Sequence, residues 1–353
     1  MSALGGLKVH QLRILLTQIG SKTTGNKSQL ITRLQRDLTH NPRRRKEHGT
    51  HPQRILSVDM GIKNLAFCVA EIPQTKPSTM DHEIPSTPPP MHIKTWQRIS
   101  LLSQPKPPNP NQTTSANTET PAAQPPNDEE NDTYTPSALS TTALGLVKNI
   151  LLPHKPSTIL IERQRFRSAN AAAVQEWTLR VNLLEGMIWA ILRALGHEDG
   201  GVMGVESVSP ARVAGFWVQG TGTGTGTGKG KGKGKGRVEK GDKIGVVGRW
   251  LEDEVGVRFE GEAERVREAF LGKCRGVVKE KKKVPMVELD AARRERGGEG
   301  ERRVEDIGKL DDLADCLLQA AAWVKWRGNR RVLAEMLGDE KAVMDFIQKC
   351  ETG

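Results

Sequence analysis

Acidic side chains that end predicted strands or open a predicted helix are the residues best suited to chemistry in this sequence. Asp59 follows a run of β-branched and apolar residues typical of a buried strand, and Glu162 follows a second run of this kind. Asp311, Asp312 and Asp315 open the last strong helical pattern. At about 100° per residue, Asp315 lies about 40° around the helix axis from Asp311 and about 60° from Asp312, so either pair can face one point.

A cluster of these carboxylates predicts a metal centre. Burying a carboxylate is costly unless a positive charge neutralises it, and several carboxylates repel one another. Mg²⁺ prefers carboxylate oxygens and keeps waters and substrate phosphates as its other ligands, and Mn²⁺ is expected to substitute for it. Two such ions about 4 Å apart can activate a water and stabilise the leaving oxygen of a phosphodiester. The alternative interpretation is that the helix acids only favour the helix dipole and that Asp59 only belongs to a turn.

The charge balance favours a nucleic acid as partner. The 353 residues contain 53 Lys and Arg against 42 Asp and Glu, which gives a formal net charge of +11. A surplus of this sign attracts polyanions, although basic linkers that keep a protein soluble would give the same balance. Together with the acidic cluster, the surplus predicts metal-dependent hydrolysis of nucleic acid.

Hydropathy and cysteine usage argue against several classes of protein. No run approaches the ~20 apolar residues that cross a bilayer, and no apolar signal peptide opens the chain, so the membrane and secreted classes are disfavoured. The four cysteines, at positions 68, 274, 316 and 350, are scattered along the chain. That spacing is typical of a reducing compartment and argues against a disulfide framework and a zinc site.

The sequence divides into a small helical module and a larger α/β region. Leucines at helical spacing on both sides of a turn at 20–25 predict a helix-turn-helix module over residues 6–38. A mitochondrial transit peptide, which is also Arg-rich and poor in acids, is an alternative that does not exclude the module. A basic linker is expected at 39–53, the α/β core at 54–330 and a helical tail at 331–353.

Low aromatic content, 4%, and tracts dominated by Pro, Gly or charge indicate that parts of the core cannot pack. Disordered insertions are predicted at about 73–90, 102–136, 219–240 and 260–304.

Four blocks of the core carry a family resemblance: LSVDMGIKNLAFC, LIERQRFRSANAAAVQEWTLRVNLLEGMIWA, VESVSPARVAGFW and KLDDLADCLLQAAAWVKWRGNR. In this order they resemble the fungal mitochondrial Holliday junction resolvases, RuvC-type members of the ribonuclease H-like superfamily. The stretch GLKVHQLRILLTQIGSKTTGNKSQLITRLQ resembles a SAP domain, a small DNA-binding helical module. The resemblance implies a ribonuclease H-like α/β fold, with a mixed five-stranded sheet flanked by helices and preceded by the SAP-like module.

The resemblance also implies roles for the acids. Asp59, Glu162 and Asp315 become catalytic metal ligands. The Asp-x-x-Asp pattern of bacterial relatives points to Asp312 as the fourth, and Asp311 stays open as an alternative. The implied reaction is the paired cutting of opposed strands at a four-way DNA junction, in mitochondria, by a homodimer whose two-fold axis presents two equivalent sites.

Basic and polar residues beside these acids are the predicted DNA contacts, although surface solvation would also explain them. The SAP resemblance adds a lysine at the start of the second helix. The candidates are Lys27, Lys63, Arg163, Gln164, Arg165 and Arg167. Two alternative functions remain at this point: a ribonuclease H-like nuclease that acts on RNA–DNA hybrids, and a junction-binding protein without catalysis.

Overall fold

The computed structural model describes residues 3–39, 53–73, 87–101, 134–164, 176–198, 203–218, 238, 240–254, 256–281 and 307–352. The candidate DNA contacts Arg165 and Arg167 lie outside these ranges, as do most residues of the insertions predicted from the sequence.

A six-stranded mixed sheet with the order β5-β4-β1-β2-β3-β6 forms the centre of the larger region. The strands are β1 (Gln53–Met60), β2 (Asn64–Ile72), β3 (Met91–Ser100), β4 (Thr158–Glu162), β5 (Gly204–Val208) and β6 (Val257–Phe259). Strands β1, β2 and β3 form an antiparallel meander, and β4 and β5 run parallel to β1. The predicted α/β class with a mixed sheet is confirmed. The predicted count of five strands is one short, because β6 has only three residues, too few to show a periodic pattern.

Helices cover both faces of the sheet and form the N-terminal and C-terminal segments. They are α1 (Ala3–Gly6), α2 (Val9–Gln18), α3 (Lys27–Thr39), α4 (Pro136–Gly145), α5 (Glu176–Glu198), α6 (Pro210–Trp217), α7 (Lys240–Asp253), α8 (Glu262–Lys281), α9 (Leu310–Met336) and α10 (Glu340–Thr352). Each helix in the described ranges is too short or too polar to cross a bilayer.

Side chains of β1 alternate between two apolar layers, as the pleat of a strand requires. Leu56 and Val58 pack with α4 and α5 on one face of the sheet. Ile55 belongs to the opposite layer, which α6, α7, α8 and α9 complete. The sheet is therefore buried on both faces, and its central strand β1 is held between two helical layers.

Helix α8 occupies part of a segment that was expected to be a disordered insertion. Ala263 and Phe270 on this helix are buried, and the Phe270 ring centroid lies 5.2 Å from that of Trp96 on β3. The prediction of disorder is therefore wrong for residues 262–281. The many charges of the segment lower its average hydrophobicity, but its few apolar residues recur at helical spacing and are enough to pack one side of a helix.

One buried polar side chain fastens the longest helix to the sheet. The amide Nε2 of Gln319, on α9, lies 3.0 Å from Ser57 Oγ and donates to the backbone oxygens of Val58 and Leu160 at 3.2 and 3.3 Å. Ser57 and Val58 belong to β1, and Leu160 belongs to β4. A buried amide is tolerated only where it is hydrogen-bonded, so these contacts fix how far α9 can slide along the sheet.

The N-terminal helices share an apolar core with the C-terminal end of the chain. Leu12, Leu16 and Leu34 are fully buried in a cluster that also contains Leu333 of α9 and Phe346 of α10. The helical tail predicted at 331–353 therefore completes the core of the N-terminal module. This packing solves the difficulty that two short helices alone bury too little surface to be stable.

Polar contacts around the turn after α2 also hold the N-terminal helices against α9. Arg330 donates to the carbonyl of Ile19 through Nε at 3.0 Å and Nη2 at 2.8 Å, and Asn329 donates to the carbonyl of Gln18 at 2.8 Å. Gly20 follows with a positive φ of 68° and lies against the Trp326 ring. The N-terminal helices are thus fixed to the α/β core through α9.

We predict that Gly20→Ala destabilises the protein by about 2–4 kcal/mol, because an added Cβ would overlap the Trp326 ring and the left-handed backbone disfavours a side chain. Chemical denaturation with fluorescence detection measures the change. Gly328→Ala on α9 is the matched control: its Cβ would have no neighbour within 4 Å, and alanine favours helix, so this variant should keep or slightly raise stability. Equal stability of the two variants would contradict the tight packing at Gly20.

Candidate metal centre

Two of the predicted acids lie side by side at the carboxyl ends of two neighbouring strands. Strands β1 and β4 are parallel and in register, with Val58 opposite Ile161, so the next residue of each strand brings Asp59 beside Glu162. The carboxyl ends of neighbouring parallel strands form a crevice where ligands commonly bind. The sheet alone therefore places two carboxylates next to each other.

Helix α9 brings the third carboxylate to the same strand ends. Asp315 precedes Gln319 by four residues, about one helical turn, so the contacts that hold Gln319 on β1 and β4 also direct Asp315 toward the ends of these strands. One carboxylate oxygen from each of Asp59, Glu162 and Asp315 lies within 4.8 Å of the others. This grouping can hold a metal ion.

The electrostatics of the site show a concentration of negative charge. Burial raises the pKa of the Asp59 carboxyl well above its usual value, and the charge of Glu162, a hydrogen bond with it and the charges of Asp315 and Asp312 raise it further. Burial also raises the pKa of Asp315, against the lowering effect of the Lys243 ammonium. The carboxylates thus lack sufficient positive charge, which is what a divalent cation would supply.

The other two predicted acids, both on α9, pair with basic side chains. Asp312 Oδ2 accepts from Arg98 Nε of β3 at 2.8 Å, and Asp311 pairs with Lys240 of α7. The charge of Asp312 raises the pKa values of both Asp59 and Asp315, and the charge of Asp311 raises the pKa of Asp315. The structure therefore brings three of the predicted acids into one group and places Asp312 and Asp311 beside it, each in a salt bridge.

Lys243 was missed in the sequence analysis. Its Nζ lies 2.7 Å from Asp315 Oδ1 and 2.8 Å from Oδ2, and the side chain is largely buried. The available signal was weak: Lys240 and Lys243 stand three residues apart at the start of α7, which puts both on one side of the helix. That pattern alone does not reveal which acids the lysines face.

The described candidates for DNA contact have different surroundings. Arg163 is exposed beside Glu162, and the Lys63 ammonium lies over the Trp177 ring, 5.5 Å from its centroid. Gln164 donates its side-chain amide to the carbonyl of Met60 at 2.9 Å, so this amide ties the end of β4 to the end of β1.

Lys27, the N-terminal candidate, lies at the start of α3 and donates to the carbonyl of Gly5 at 2.8 Å. That bond leaves two of the three ammonium donors of Lys27 for other partners.

The residues present fit a hard divalent cation. Three carboxylates offer only oxygen, which suits Mg²⁺ or Mn²⁺, whereas zinc sites usually draw on Cys and His. Cys68 and Cys316 are buried nearby, but the Sγ of Cys68 donates to the carbonyl of Cys316 at 3.3 Å, and both are free thiols. The donor set thus points to a hard metal ion.

Comparison with known proteins agrees with this geometry. The curated protein "Cruciform cutting endonuclease 1, mitochondrial" of Schizosaccharomyces pombe is 28% identical over 145 residues, which cover 39% of this chain and 41% of the relative. The match thus spans about two fifths of that protein's length. The solved structure described as "Crystal Structure of the Yeast Mitochondrial Holliday Junction Resolvase, Ydc2" has 22% identity and a TM-score of 0.51, covers 94% of this chain and 98% of its own, and supports the fold.

Two family models match the sequence. The SAP domain model matches residues 3–39, and the model described as mitochondrial resolvase Ydc2 / RNA splicing MRS1 matches residues 55–333. The resemblance found in the sequence is thereby confirmed for both parts. Since the second match spans more than half of the chain, the protein belongs to the mitochondrial resolvase Ydc2 / RNA splicing MRS1 family.

Proposed function

We propose that this protein is a Mg²⁺-dependent endonuclease that cuts four-way DNA junctions as a homodimer in mitochondria. The observation that carries the proposal is the convergence of Asp59, Glu162 and Asp315 within 4.8 Å, in a chain of a resolvase family. The relatives are named as a mitochondrial cruciform-cutting endonuclease and a mitochondrial Holliday junction resolvase, which supports both the substrate and the compartment.

The roles of the acids follow from their positions. Asp59, Glu162 and Asp315 hold the metal, and Asp312 is the fourth ligand once Arg98 turns to another partner, with Asp311 as the alternative. When bound, Mg²⁺ supplies activation of the attacking water and stabilisation of the leaving oxygen.

The lysine and the glutamine of the site have supporting roles. Lys243 orients Asp315 through its short contacts with both carboxylate oxygens. Gln164 holds the ends of β1 and β4 together through Met60, so that Asp59 and Glu162 stay adjacent. The scissile phosphate would lie among these groups, where Arg163 and Lys63 can contact its neighbours, and Lys27, Arg165 and Arg167 complete the proposed DNA contacts.

A second candidate function is RNA binding without cleavage, because the family description also names an RNA splicing protein. The acidic group favours the nuclease. Binding RNA does not need three carboxylates that repel one another at the ends of two strands. Their repulsion makes folding less favourable unless a metal is bound. A nuclease of RNA–DNA hybrids would use the same acids, so only the substrate distinguishes it.

An exposed strip on α5 supports the homodimer. Leu179 and Leu183 are 52% and 39% exposed, and Gly186 and Ala190 continue the same side of the helix at spacings of four, three and four residues. This repeat of leucine and small residues suits close packing against an identical helix across a two-fold axis. The second copy of this chain is therefore the proposed occupant of the strip.

We expect wild-type protein with Mg²⁺ to cut a synthetic four-way junction into nicked duplexes and to leave an RNA–DNA hybrid intact. Asp59→Asn should lower the cleavage rate at least ~1000-fold while junction affinity stays near the wild-type value, because one metal ligand is lost and no DNA contact changes. Gel assays of cleavage and of binding measure both effects.

Asp345→Asn, a change of an exposed acid on α10, is the matched control for this assay and should cut normally. Cleavage of the hybrid but not of the junction would refute the substrate, and undiminished cleavage by Asp59→Asn would refute the site.

Metal and pH should act on stability in opposite directions. The raised pKa values of Asp59 and Asp315 mean that these groups contribute stability at low pH, where they are protonated, and lose it as pH rises through the folded-state pKa values. Without metal, Asp59→Asn should therefore be more stable than wild type by about 1–2 kcal/mol near pH 8, with the difference vanishing near pH 4.

Millimolar Mg²⁺ should raise the melting temperature of wild type far more than that of Asp59→Asn, because only the native site binds the ion tightly. Calorimetry in chelator measures the stability difference between the two proteins, and calorimetry with Mg²⁺ measures the rise in melting temperature. An equal rise for the two proteins would show that the ion binds elsewhere.

The proposed dimer surface predicts that Leu183→Glu yields a monomer, because a buried charge at a helix–helix contact is costly. Sedimentation velocity should show a dimer for wild type. Met344→Glu, a similarly exposed apolar residue on α10 at 39%, is the control and should remain dimeric. If Leu183→Glu stays dimeric as well, the contact lies on another surface.

A further inference from the structure

We propose that Arg163, Arg212 and Arg33 form a continuous phosphate-binding surface, the arginine path, which leads one duplex arm of the DNA from the metal centre to the N-terminal helices. The inference rests on the proposed function and adds where the substrate lies beyond the scissile bond. It assigns to Arg212, which the sequence analysis did not single out, a direct contact with the DNA backbone.

The path begins at the carboxyl ends of the strands that carry the acids. Arg163 directly follows Glu162, and its backbone N–H donates to the carbonyl of Val208, the last residue of β5, at 2.8 Å. The next residue, Ser209, accepts a hydrogen bond from the backbone N–H of Arg212 at 2.9 Å, in the first turn of α6. Arg163 and Arg212 therefore stand on adjoining segments at the carboxyl ends of β4 and β5.

The path continues onto the N-terminal module through the turn after α2. Arg212 Nη1 donates to the carbonyl of Gly20 at 3.1 Å. Arg33 of α3 donates through Nη1 to the carbonyls of Lys22 and Thr24 at 2.7 and 2.8 Å. One short turn is thus held by a guanidinium of the core on one side and by a guanidinium of α3 on the other.

The charges of these groups act on one another. Burial lowers the pKa of Arg212, and the positive charges of Arg163, Arg330 and Arg33 lower it further, against the opposing charge of Asp37. The hydrogen bonds of Arg212 and Arg33 go to neutral carbonyls, which do not neutralise the guanidinium charges. Phosphates placed along this row would relieve the repulsion.

A duplex arm is the occupant that fits these observations. The row starts beside the candidate metal centre, where the scissile phosphate would lie, and it is placed to contact the adjoining backbone of the same strand or of its complement. Arg212 uses one of its five N–H donors for Gly20 and has four left for phosphate oxygens. Because α9 fixes the N-terminal helices to the core, the path is a rigid surface that the arm meets in one orientation.

The test is binding of a four-way junction by wild type, Arg212→Gln and Arg212→Lys, measured by fluorescence anisotropy in chelator over a range of salt. Arg212→Gln should bind about tenfold more weakly, as expected for the loss of one charge-assisted contact, and the slope of log K against log salt should fall by about one. Arg212→Lys should keep the slope. Arg258→Gln, on β6 at the opposite edge of the sheet, is the control and should match wild type.

Two results would overturn the arginine path. The first is an unchanged affinity and slope for Arg212→Gln. The second is equal weakening by Arg212→Gln and Arg212→Lys with the wild-type slope, which would mean that Arg212 only ties α6 to the turn at Gly20. Failure of wild type itself to bind the junction would instead refute the proposed function. Thermal unfolding of each variant shows whether it is folded. If Arg212→Gln does not fold, the affinity and slope of Arg212→Lys, which keeps the charge, are compared with those of wild type instead.

Discussion

The side-chain amide of Gln319 is the contact on which the candidate site depends. It reaches Ser57 and Val58 on one strand and Leu160 on the next, each one or two residues from Asp59 or Glu162, and it lies one helical turn after Asp315. A leucine here would pack equally well at several helix positions, whereas an amide in an apolar layer is satisfied at only one. The polar contact thus sets the register of α9, and the register sets where the third carboxylate lies.

The same site shows how function and stability conflict in this molecule. With the three carboxylates within 4.8 Å of one another, burial raises the pKa of Asp59, and the charges of Glu162 and Asp315 raise it further. Basic side chains from β3 and α7 limit this cost at the first turns of α9, where Arg98 and Lys243 contact Asp312 and Asp315. The cations flank the acids, and the centre of the group is left for a metal.

The acids could be predicted from the sequence because strand ends and helix phase are local properties. Asp59 and Glu162 end apolar runs, so their meeting needed only the parallel pairing of two strands. Asp315 falls on the side of its helix that the phase allows, but it reaches them only because α9 docks on β1 and β4 through Gln319. Lys243 could not be predicted in the same way, because its partner lies 72 residues away in the sequence. Strand β6 and helix α8 were missed because each has few apolar residues. Their packing becomes visible only in the structure, where β3 pairs with β6 and its Trp96 contacts Phe270 of α8.

The shared core of the two chain ends has a consequence for how the protein is made. Leu12, Leu16 and Leu34 are covered in part by Leu333 and Phe346, which leave the ribosome long after them. During synthesis, α2 and α3 therefore keep these leucines partly uncovered until α9 and α10 have also emerged. A polypeptide that ended before α9 would leave these leucines exposed to proteases and to other chains, so the folding of α2 and α3 depends on the synthesis of α9 and α10.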